Sequence, residues 1–188
     1  EYTAAVASLA HRHGLQVHVD GARIFNAAIA LQVDVKVLVG DVDSVTFCLS
    51  KGLAAPAGSV VCGTASFIDG VRRARKVLGG GMRQAGVLAA AGIVALETMV
   101  DRLADDHARA RRLAEGLAAL PGISVGSTHS NILYFSLDVS CPLDGAGLAT
   151  ALRNRGILLP NRGPRSFRAV THCWISDEDI ERTLTAVA

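Results

Sequence analysis

The spacing of three short runs rich in β-branched residues restricts most strongly what this chain can fold into. Two segments with helical patterns separate "LQVHV" (15–19) from "SVTFC" (44–48), whereas "SVVC" (59–62) follows the second run after a short loop. A helical crossover joins parallel strands, and a short loop allows an antiparallel neighbour. The sequence therefore predicts an α/β sheet in which the first two strands run parallel and the third is an antiparallel neighbour. The accompanying helices are expected at about residues 1–13, which Gly14 closes, and 23–32, with a short helical turn at 35–39.

Further along the chain, two helical segments lead to "LPGISV" (120–125), where the character of the sequence changes. A helix over 65–76 ends at three consecutive glycines, and a long helix follows over about 84–120, with an interruption near Val100 or Asp101. We expect the remainder to form a small α/β domain, residues 101–188, with a boundary near residue 100. Its strands are predicted at Ser124, 131–137 and 166–172, and its helices at 145–154 and 177–187.

Composition excludes several classes of protein. Half of the residues are apolar and the formal net charge is only +2, with one basic run at Arg72–Lys76, so nucleic-acid binding is not expected. The most apolar window, Gln84–Leu96, is shorter than the roughly 20 residues that span a bilayer. The four cysteines are widely spaced without a CxxC pair, which predicts no metal site and a reducing, cytoplasmic location.

An aspartate and a lysine follow the first two predicted strands. Asp20 ends the first strand and Lys51, one of three lysines against sixteen arginines, lies just beyond the second. Ligands of open α/β sheets bind outside the carboxyl ends of the strands. A lysine that forms a Schiff base, paired with an acid that contacts a pyridinium nitrogen, is typical of pyridoxal phosphate sites. The alternative from these residues alone is that Asp20 caps the following helix and Lys51 is solvated.

Five longer motifs carry a resemblance to a known family. They are "HVDGARIFNAA" (18–28), "SVTFCLSKGLAAPAGSVVCG" (44–63), "RKVLGGGMRQAGVLAAAGIVAL" (75–96), "SNILYF" (130–135) and "RAVTH" (168–172). In this order and over nearly the whole chain they resemble the threonine aldolases of the β-eliminating lyase family. The resemblance implies an α/β fold. Residues 1–100 would be the C-terminal part of the large domain of a fold-type-I pyridoxal phosphate enzyme, with a mixed, mainly parallel sheet and helices, and residues 101–188 a small C-terminal α/β domain.

The resemblance also implies roles for the first two residues. Lys51, in "SKG", corresponds to the lysine that holds the cofactor as an internal Schiff base. Asp20, in "DGAR", corresponds to the aspartate beside the cofactor ring nitrogen. A nearby carboxylate favours the protonated nitrogen, which makes the ring a better acceptor of electrons from the substrate Cα.

Four basic residues match family positions that bind anions. Arg23 matches an arginine near the cofactor ring oxygen and the substrate carboxylate, and Arg168 matches one that binds the same carboxylate, for which a guanidinium fork is suited. Lys76 and Arg83 flank the triple glycine and match residues at the active-site entrance that reach phosphate or substrate across a subunit interface. For an arbitrary arginine, a surface salt bridge is the alternative.

Three further residues near these motifs are interpreted as structural. We expect His18 to point to the sheet face opposite Asp20 and to be packed or partly exposed rather than catalytic. Cys48 and Cys62 lie in predicted strands, where free thiols are commonly buried, so both are predicted to belong to the core.

The resemblance implies an aldolase that cleaves threonine or allo-threonine, both β-hydroxy-α-amino acids, to glycine and an aldehyde. Another fold-type-I lyase or a transaminase is the nearest alternative, because one fold hosts many reactions. A third possibility is a non-catalytic fragment whose exposed apolar sheet edge serves assembly.

The start of the sequence departs from the family pattern. The family's large domain has an N-terminal portion with a phosphate-binding turn and a histidine that stacks on the cofactor, and nothing before Glu1 supplies either. We therefore expect the chain to begin within a longer protein. The expected assembly is a homo-oligomer, a dimer or tetramer, or an association with that N-terminal portion.

Overall fold

The computed structural model describes residues 2–188, and they form two compact units. The first unit extends to Asp101, and the second runs from Arg102 to Ala188. No helix in the described part of the chain combines the length and the hydropathy that a bilayer crossing requires.

The first unit is built on a mixed three-stranded sheet. Its elements are α1 (Tyr2–Arg12), β1 (His18–Asp20), α2 (Ile24–Leu31), α3 (Val35–Val39), β2 (Ser44–Cys48), β3 (Ser59–Gly63), α4 (Ala65–Val77) and α5 (Gly86–Thr98). The central strand β2 pairs in parallel with β1 and antiparallel with β3. The predicted mixture of strand directions is confirmed.

The first strand is shorter than predicted and begins later. Leu15 and Val17 precede it, and the Val17 N–H donates to the Asp43 carboxylate at 2.7 Å instead of to a strand partner. The same carboxylate contacts His11 Nε2 at 2.9 Å. The predicted role of Gly14 is confirmed, since it has φ of +68° and its N–H donates to the carbonyl of His11.

The core of the first unit is small, and its buried apolar residues are alanines, leucines and one isoleucine. Leu49 and Leu53 are buried, and α5 approaches Leu49 so closely that a Cβ on Gly92 would lie 2.9 Å from Leu49 Cδ1. Phe25 and Phe47 meet edge to face with ring centroids 5.2 Å apart.

The prediction that Cys62 belongs to the core is wrong, and that for Cys48 is met only in part. Cys62 is exposed and Cys48 is partly buried. Their strands differ in position, because β3, which carries Cys62, is an edge strand of the sheet in the described structure. The Cys48 sulfur accepts a hydrogen bond from the Ser59 hydroxyl at 3.5 Å.

The second unit pairs an antiparallel sheet with helices. Its elements are α6 (Leu103–Ala118), β4 (Ile123–His129), β5 (Ile132–Leu137), α7 (Gly145–Asn154), β6 (Ser166–Val170) and α8 (Asp177–Val187). The strand order is β4-β5-β6. The predicted interruption of the long helix is confirmed, because α5 ends at Thr98 and α6 begins at Leu103.

One apolar core holds the second unit together. Leu133 and Phe135 of β5 face Ala169 and Phe167 of β6 in register, and the two phenyl rings stack with centroids 4.8 Å apart. Leu117 of α6 is also fully buried in this cluster. Alternation along β5 and β6 places these residues on one face of the sheet.

The helix α7 depends on a capping aspartate. The Asp144 carboxylate accepts the backbone N–H of Gly147 at 2.8 Å. Asp144→Ala leaves this N–H without its side-chain acceptor, and we expect the free energy of unfolding to fall by about 1 kcal/mol. Asp144→Asn is the control, since asparagine caps equally well. Urea unfolding of both variants checks the prediction, and equal stability of the two would contradict it.

A buried polar cluster joins the start of α6 to the ends of β5 and β6. Asp106 is fully buried and binds Arg102 Nη2 at 2.6 Å. Burial alone would lower the pKa of Arg102, but the hydrogen bond and the charge of Asp106 raise it above its usual value. The Thr171 hydroxyl donates to the Asp106 carbonyl at 2.6 Å, and the Asn131 amide donates to the Thr171 carbonyl at 2.8 Å.

The partly desolvated histidine next to this cluster, His107, is expected to make stability depend on pH. Burial lowers the pKa of His107 below the usual 6.5, Asp106 opposes the shift and Arg111 adds to it. Between its folded and its unfolded pKa, His107 therefore binds more protons in the unfolded chain than in the folded chain. As the pH falls through this window, the free energy of unfolding decreases. When the pH is lowered from about 8 to 5, we expect the free energy of unfolding to fall less in His107→Leu than in the unmodified chain. Urea titrations at both pH values measure the two decreases.

A matched control is His129, which lies exposed in β4 of the same unit. His129→Gln is expected to keep the pH dependence of the unmodified chain. An unchanged slope in His107→Leu would exclude a buried neutral imidazole at position 107.

Candidate active site

A tight turn places Asp20 at the carboxyl edge of the parallel strand pair. Asp20 ends β1 and is exposed, and the N–H of the next residue, Gly21, donates to the Thr46 carbonyl of β2 at 2.7 Å. A Cβ on Gly21 would lie 3.0 Å from that carbonyl oxygen. Glycine therefore keeps the turn against β2, and the Asp20 carboxylate accepts the Ala22 N–H at 3.2 Å.

The loop after β2 presents a lysine at the same edge. Gly52 and Leu53 are buried beneath it, and the Ala55 N–H donates to the Leu49 carbonyl at 3.0 Å, so the loop backbone is anchored. Ala54 has φ of +60°, a left-handed conformation that is uncommon for alanine. The Lys51 side chain is exposed, and no ion-pair or hydrogen-bond partner of its amine is found among residues 2–188.

Four polar side chains, here called the polar row, lie on one face of β1 and β2: His18, Ser44, Thr46 and Asp20. The expectation that His18 faces away from Asp20 is wrong, because side chains two residues apart in a strand share a face. The His18 ring contacts the hydroxyls of Ser44 and Thr46, and Thr46 is the register partner of Asp20.

The other three basic residues of the first unit that are predicted to belong to the site lie at helix ends or in turns. Arg23 occupies the N-cap position of α2 and is partly buried. Lys76 lies in the last turn of α4, and Arg83 follows the triple glycine; both are exposed. The lysine folds over Gly81, where a Cβ would lie 3.2 Å from Lys76 Nζ. Gly79 has φ of +84°, which explains why glycine suits this turn.

Arg168 belongs to the second unit, in β6 opposite Tyr134 of β5. Its Nε is buried and has no hydrogen-bond partner among the described residues. It lines a cavity of about 560 Å³ together with Ile157–Pro160, His172, Trp174 and part of α8. A buried guanidinium donor that lacks a protein acceptor is suited to an anionic ligand.

The sequence reasoning did not anticipate two features. The hydrogen bonds of the polar row connect residues on two strands, so they follow from strand register and not from any local pattern. The period of two along β1 was the available signal for the shared face of His18 and Asp20. The cavity beside Arg168 combines segments that are distant in sequence, and no motif signals it.

Sequence comparisons place the chain among lyases. The family described as β-eliminating lyase matches residues 1–140. A low-specificity L-threonine aldolase 1 from Arabidopsis thaliana is 46% identical over 187 residues, which cover 98% of this chain and 52% of the relative. A low specificity L-threonine aldolase from Escherichia coli K12 is 40% identical over 180 residues, covering 96% and 52%. The chain thus spans about half the length of the curated relatives it matches.

Solved structures share the fold at low sequence identity. A crystal structure of a putative L-allo-threonine aldolase from Listeria monocytogenes matches with a TM-score of 0.82 at 18% identity, over 98% of this chain and 55% of that one. A structure of SPT with a PLP internal aldimine matches with a TM-score of 0.73 at 21% identity, covering 96% and 48%. These overlaps confirm the predicted fold class, the mixed α/β fold of fold-type-I pyridoxal phosphate enzymes.

Proposed function

Because the chain belongs to the β-eliminating lyase family, we propose that the protein is a pyridoxal phosphate-dependent aldolase that cleaves threonine or allo-threonine to glycine and an aldehyde. The observation that carries the proposal is the exposed Lys51 amine at the same sheet edge as the exposed Asp20 carboxylate. The curated relatives are themselves called low-specificity L-threonine aldolases.

The residues present fit the cofactor. Lys51 would bind its carbonyl carbon through Nζ, because this amine is exposed and has no partner in residues 2–188. Asp20 would hold the ring nitrogen in its protonated form, and the close approach of Gly21 to β2 fixes the backbone that carries this carboxylate. When bound, the cofactor accepts the electron pair released at the substrate Cα.

The basic residues would bind the anionic groups. Arg168 has a buried Nε donor without a described acceptor, which a substrate carboxylate would supply. Arg23, three residues after Asp20, is proposed to contact the cofactor ring oxygen and a substrate carboxylate. Lys76 and Arg83 are proposed to bind phosphate or substrate, for which their exposed charges are available. These charge pairings supply binding and orientation rather than proton transfer.

The proposal extends to assembly and location. Residues of α4 are not buried within the described structure, and Val77 and Leu78 are 79% and 85% exposed, which supports a homo-oligomer or an association with further chain. The four free cysteines support a reducing, cytoplasmic location.

A second candidate is a fold-type-I enzyme of another reaction class. Mouse CSAD matches with a TM-score of 0.74 at 19% identity, close to the value for SPT, so the fold alone does not identify a reaction. The sequence relatives at 40–46% identity favour the aldolase.

The test is a substrate profile of the full chain with added pyridoxal phosphate. Incubation with L-threonine and L-allo-threonine is expected to release glycine and acetaldehyde in equal amounts, the aldehyde being measured through alcohol dehydrogenase and NADH. Formation of a 2-oxo acid, with a keto-acid acceptor present, would assign the transaminase instead. Cofactor capture without turnover of either substrate would overturn the aldolase proposal.

A further inference from the structure

The first strand of the sheet has few interactions of its own that fix its register. β1 is three residues long, and both His18 and Asp20 are exposed while Val19 is only partly buried. Register is strongly specified where one face of a strand is buried and weakly specified where both faces are polar or exposed. The pairing of β1 with β2 therefore depends on contacts outside the strand.

Asp43, the residue before β2, supplies such contacts at the start of β1. Its carboxylate accepts the Val17 N–H at 2.7 Å, and its own N–H donates to the Val17 carbonyl at 3.0 Å. The N–H of Ser44 also donates to this carbonyl, at 3.3 Å. Both backbone polar groups of Val17 are thus bound to residues 43–44, directly before the first register pair, His18 with Ser44.

A histidine in the last turn of α1 orients the Asp43 carboxylate. His11 Nε2 lies 2.9 Å from Asp43 Oδ2, the same oxygen that accepts the Val17 N–H. The hydrogen bonds from Val17 and His11 hold the pKa of Asp43 below its usual value, so the carboxyl group is ionised near neutral pH. An ionised carboxylate only accepts hydrogen bonds, which makes Nε2 the donor. One oxygen atom therefore joins the end of α1 to the start of β1.

The register of β1 determines where the Asp20 carboxylate lies. Asp20 pairs with Thr46, and the Gly21 N–H donates to the Thr46 carbonyl at 2.7 Å. Lys51 follows β2 in the chain, so the register of β1 against β2 decides the place of the Asp20 carboxylate relative to this lysine. A slip by one residue would turn the Asp20 side chain to the other face of the sheet.

We propose that Asp43, oriented by His11, is a positioning residue for Asp20: it fixes the register of β1 against β2 and thereby the place of the Asp20 carboxylate at the sheet edge. The role of that carboxylate in holding the cofactor rests on the proposed function, whereas the register does not. Removal of the Asp43 side chain leaves the Val17 N–H without its acceptor, so β1 loses the contact that opposes a slip at its start.

The first experiment needs no cofactor. Hydrogen exchange of the full chain, followed by NMR, measures the protection of the Gly21 N–H, which reports on the pairing of β1 with β2. Asp43→Ala is expected to lower this protection at least about tenfold, the effect of one hydrogen bond to a charged group. Asp43→Asn should keep the protection within about twofold, because the amide oxygen still accepts the Val17 N–H.

An internal reference and a matched control accompany this experiment. The Leu49 N–H, which donates to the Gly58 carbonyl at 3.0 Å in the same unit, should keep its protection in Asp43→Ala. Asp41→Ala removes an exposed aspartate two residues before Asp43 and should leave Gly21 unchanged. Equal losses at Gly21 and Leu49 in Asp43→Ala, no loss at Gly21, or a Gly21 N–H without protection in the unmodified chain would overturn the proposal.

The second experiment is a double-mutant cycle on the Kd for pyridoxal phosphate. Asp43→Ala is expected to raise Kd about tenfold with Asp20 present and less than about twofold in Asp20→Asn, because Asp43 acts on the cofactor only through that carboxylate. Asp43→Asn should bind the cofactor as the unmodified protein does. An equal rise of Kd in both backgrounds would mean that Asp43 supports the fold in general, which overturns the positioning role.

The two experiments separate this inference from the proposed function. If the chain captures no cofactor, the proposed function fails, and the exchange of the Gly21 N–H still decides whether Asp43 fixes the register. If the cofactor binds and the cycle shows no coupling, the positioning role fails while the aldolase proposal stands.

Discussion

We expect Lys51→Ala to abolish the covalent capture of pyridoxal phosphate and, with it, the cleavage of threonine. The reason is that Lys51 supplies the only amine at this sheet edge that the described residues leave without a partner, whereas alanine offers no nucleophile. Cleavage should fall by at least about 10⁴-fold, the order expected when the nucleophile of a covalent mechanism is lost. Borohydride reduction followed by peptide mapping measures the capture directly.

Lys36→Ala is the matched control, because Lys36 is also an exposed lysine of the first unit and lies in α3. This variant should retain the visible absorption band of the bound cofactor and the labelled peptide around position 51. A label that persists on another lysine in Lys51→Ala, with activity intact, would remove Lys51 from its proposed role.

The strand order was predictable from the sequence because connection lengths restrict strand direction. The short loop between β2 and β3 allowed antiparallel neighbours, and the helical crossover from β1 to β2 indicated parallel ones. The start of β1 was not predictable, since the Asp43 carboxylate, distant in sequence, captures the Val17 N–H. A side chain that accepts a backbone N–H in place of a neighbouring strand leaves no periodic pattern in the sequence.

The sequence could predict only that the candidate site lies at the carboxyl ends of the first two strands. Asp20 and Lys51 lie at one sheet edge because Asp20 ends β1 and Lys51 follows β2, and these two strands are parallel. The hydrogen bonds of His18 depend on the register of β1 against β2, and a shift by one residue would turn every side chain to the other face. Exposure of Cys62 likewise depends on β3 being an edge strand in this structure, which its β-branched composition does not reveal.

The second large effect is expected for the carboxylate-binding arginine. Arg168→Ala should raise the KM for threonine about 10²-fold and weaken glycine binding similarly, because two charge-assisted hydrogen bonds are lost. The effect on kcat should be smaller if the arginine binds substrate and transition state alike. Arg168→Lys should recover only part of the affinity, since an ammonium lacks the planar fork.

The exposed Arg162 is the control for Arg168, because it lies in the same unit. Arg162→Ala should leave the KM for threonine within about twofold, a change that corresponds to less than a typical hydrogen bond. Urea unfolding of both variants separates a loss of binding from a loss of structure. Since Arg168 Nε is buried without a described acceptor, its removal should cost little stability, so a fall in affinity at unchanged stability identifies a ligand contact. Unchanged glycine affinity in Arg168→Ala would instead assign Arg168, whose Nε is buried, a structural role in β6.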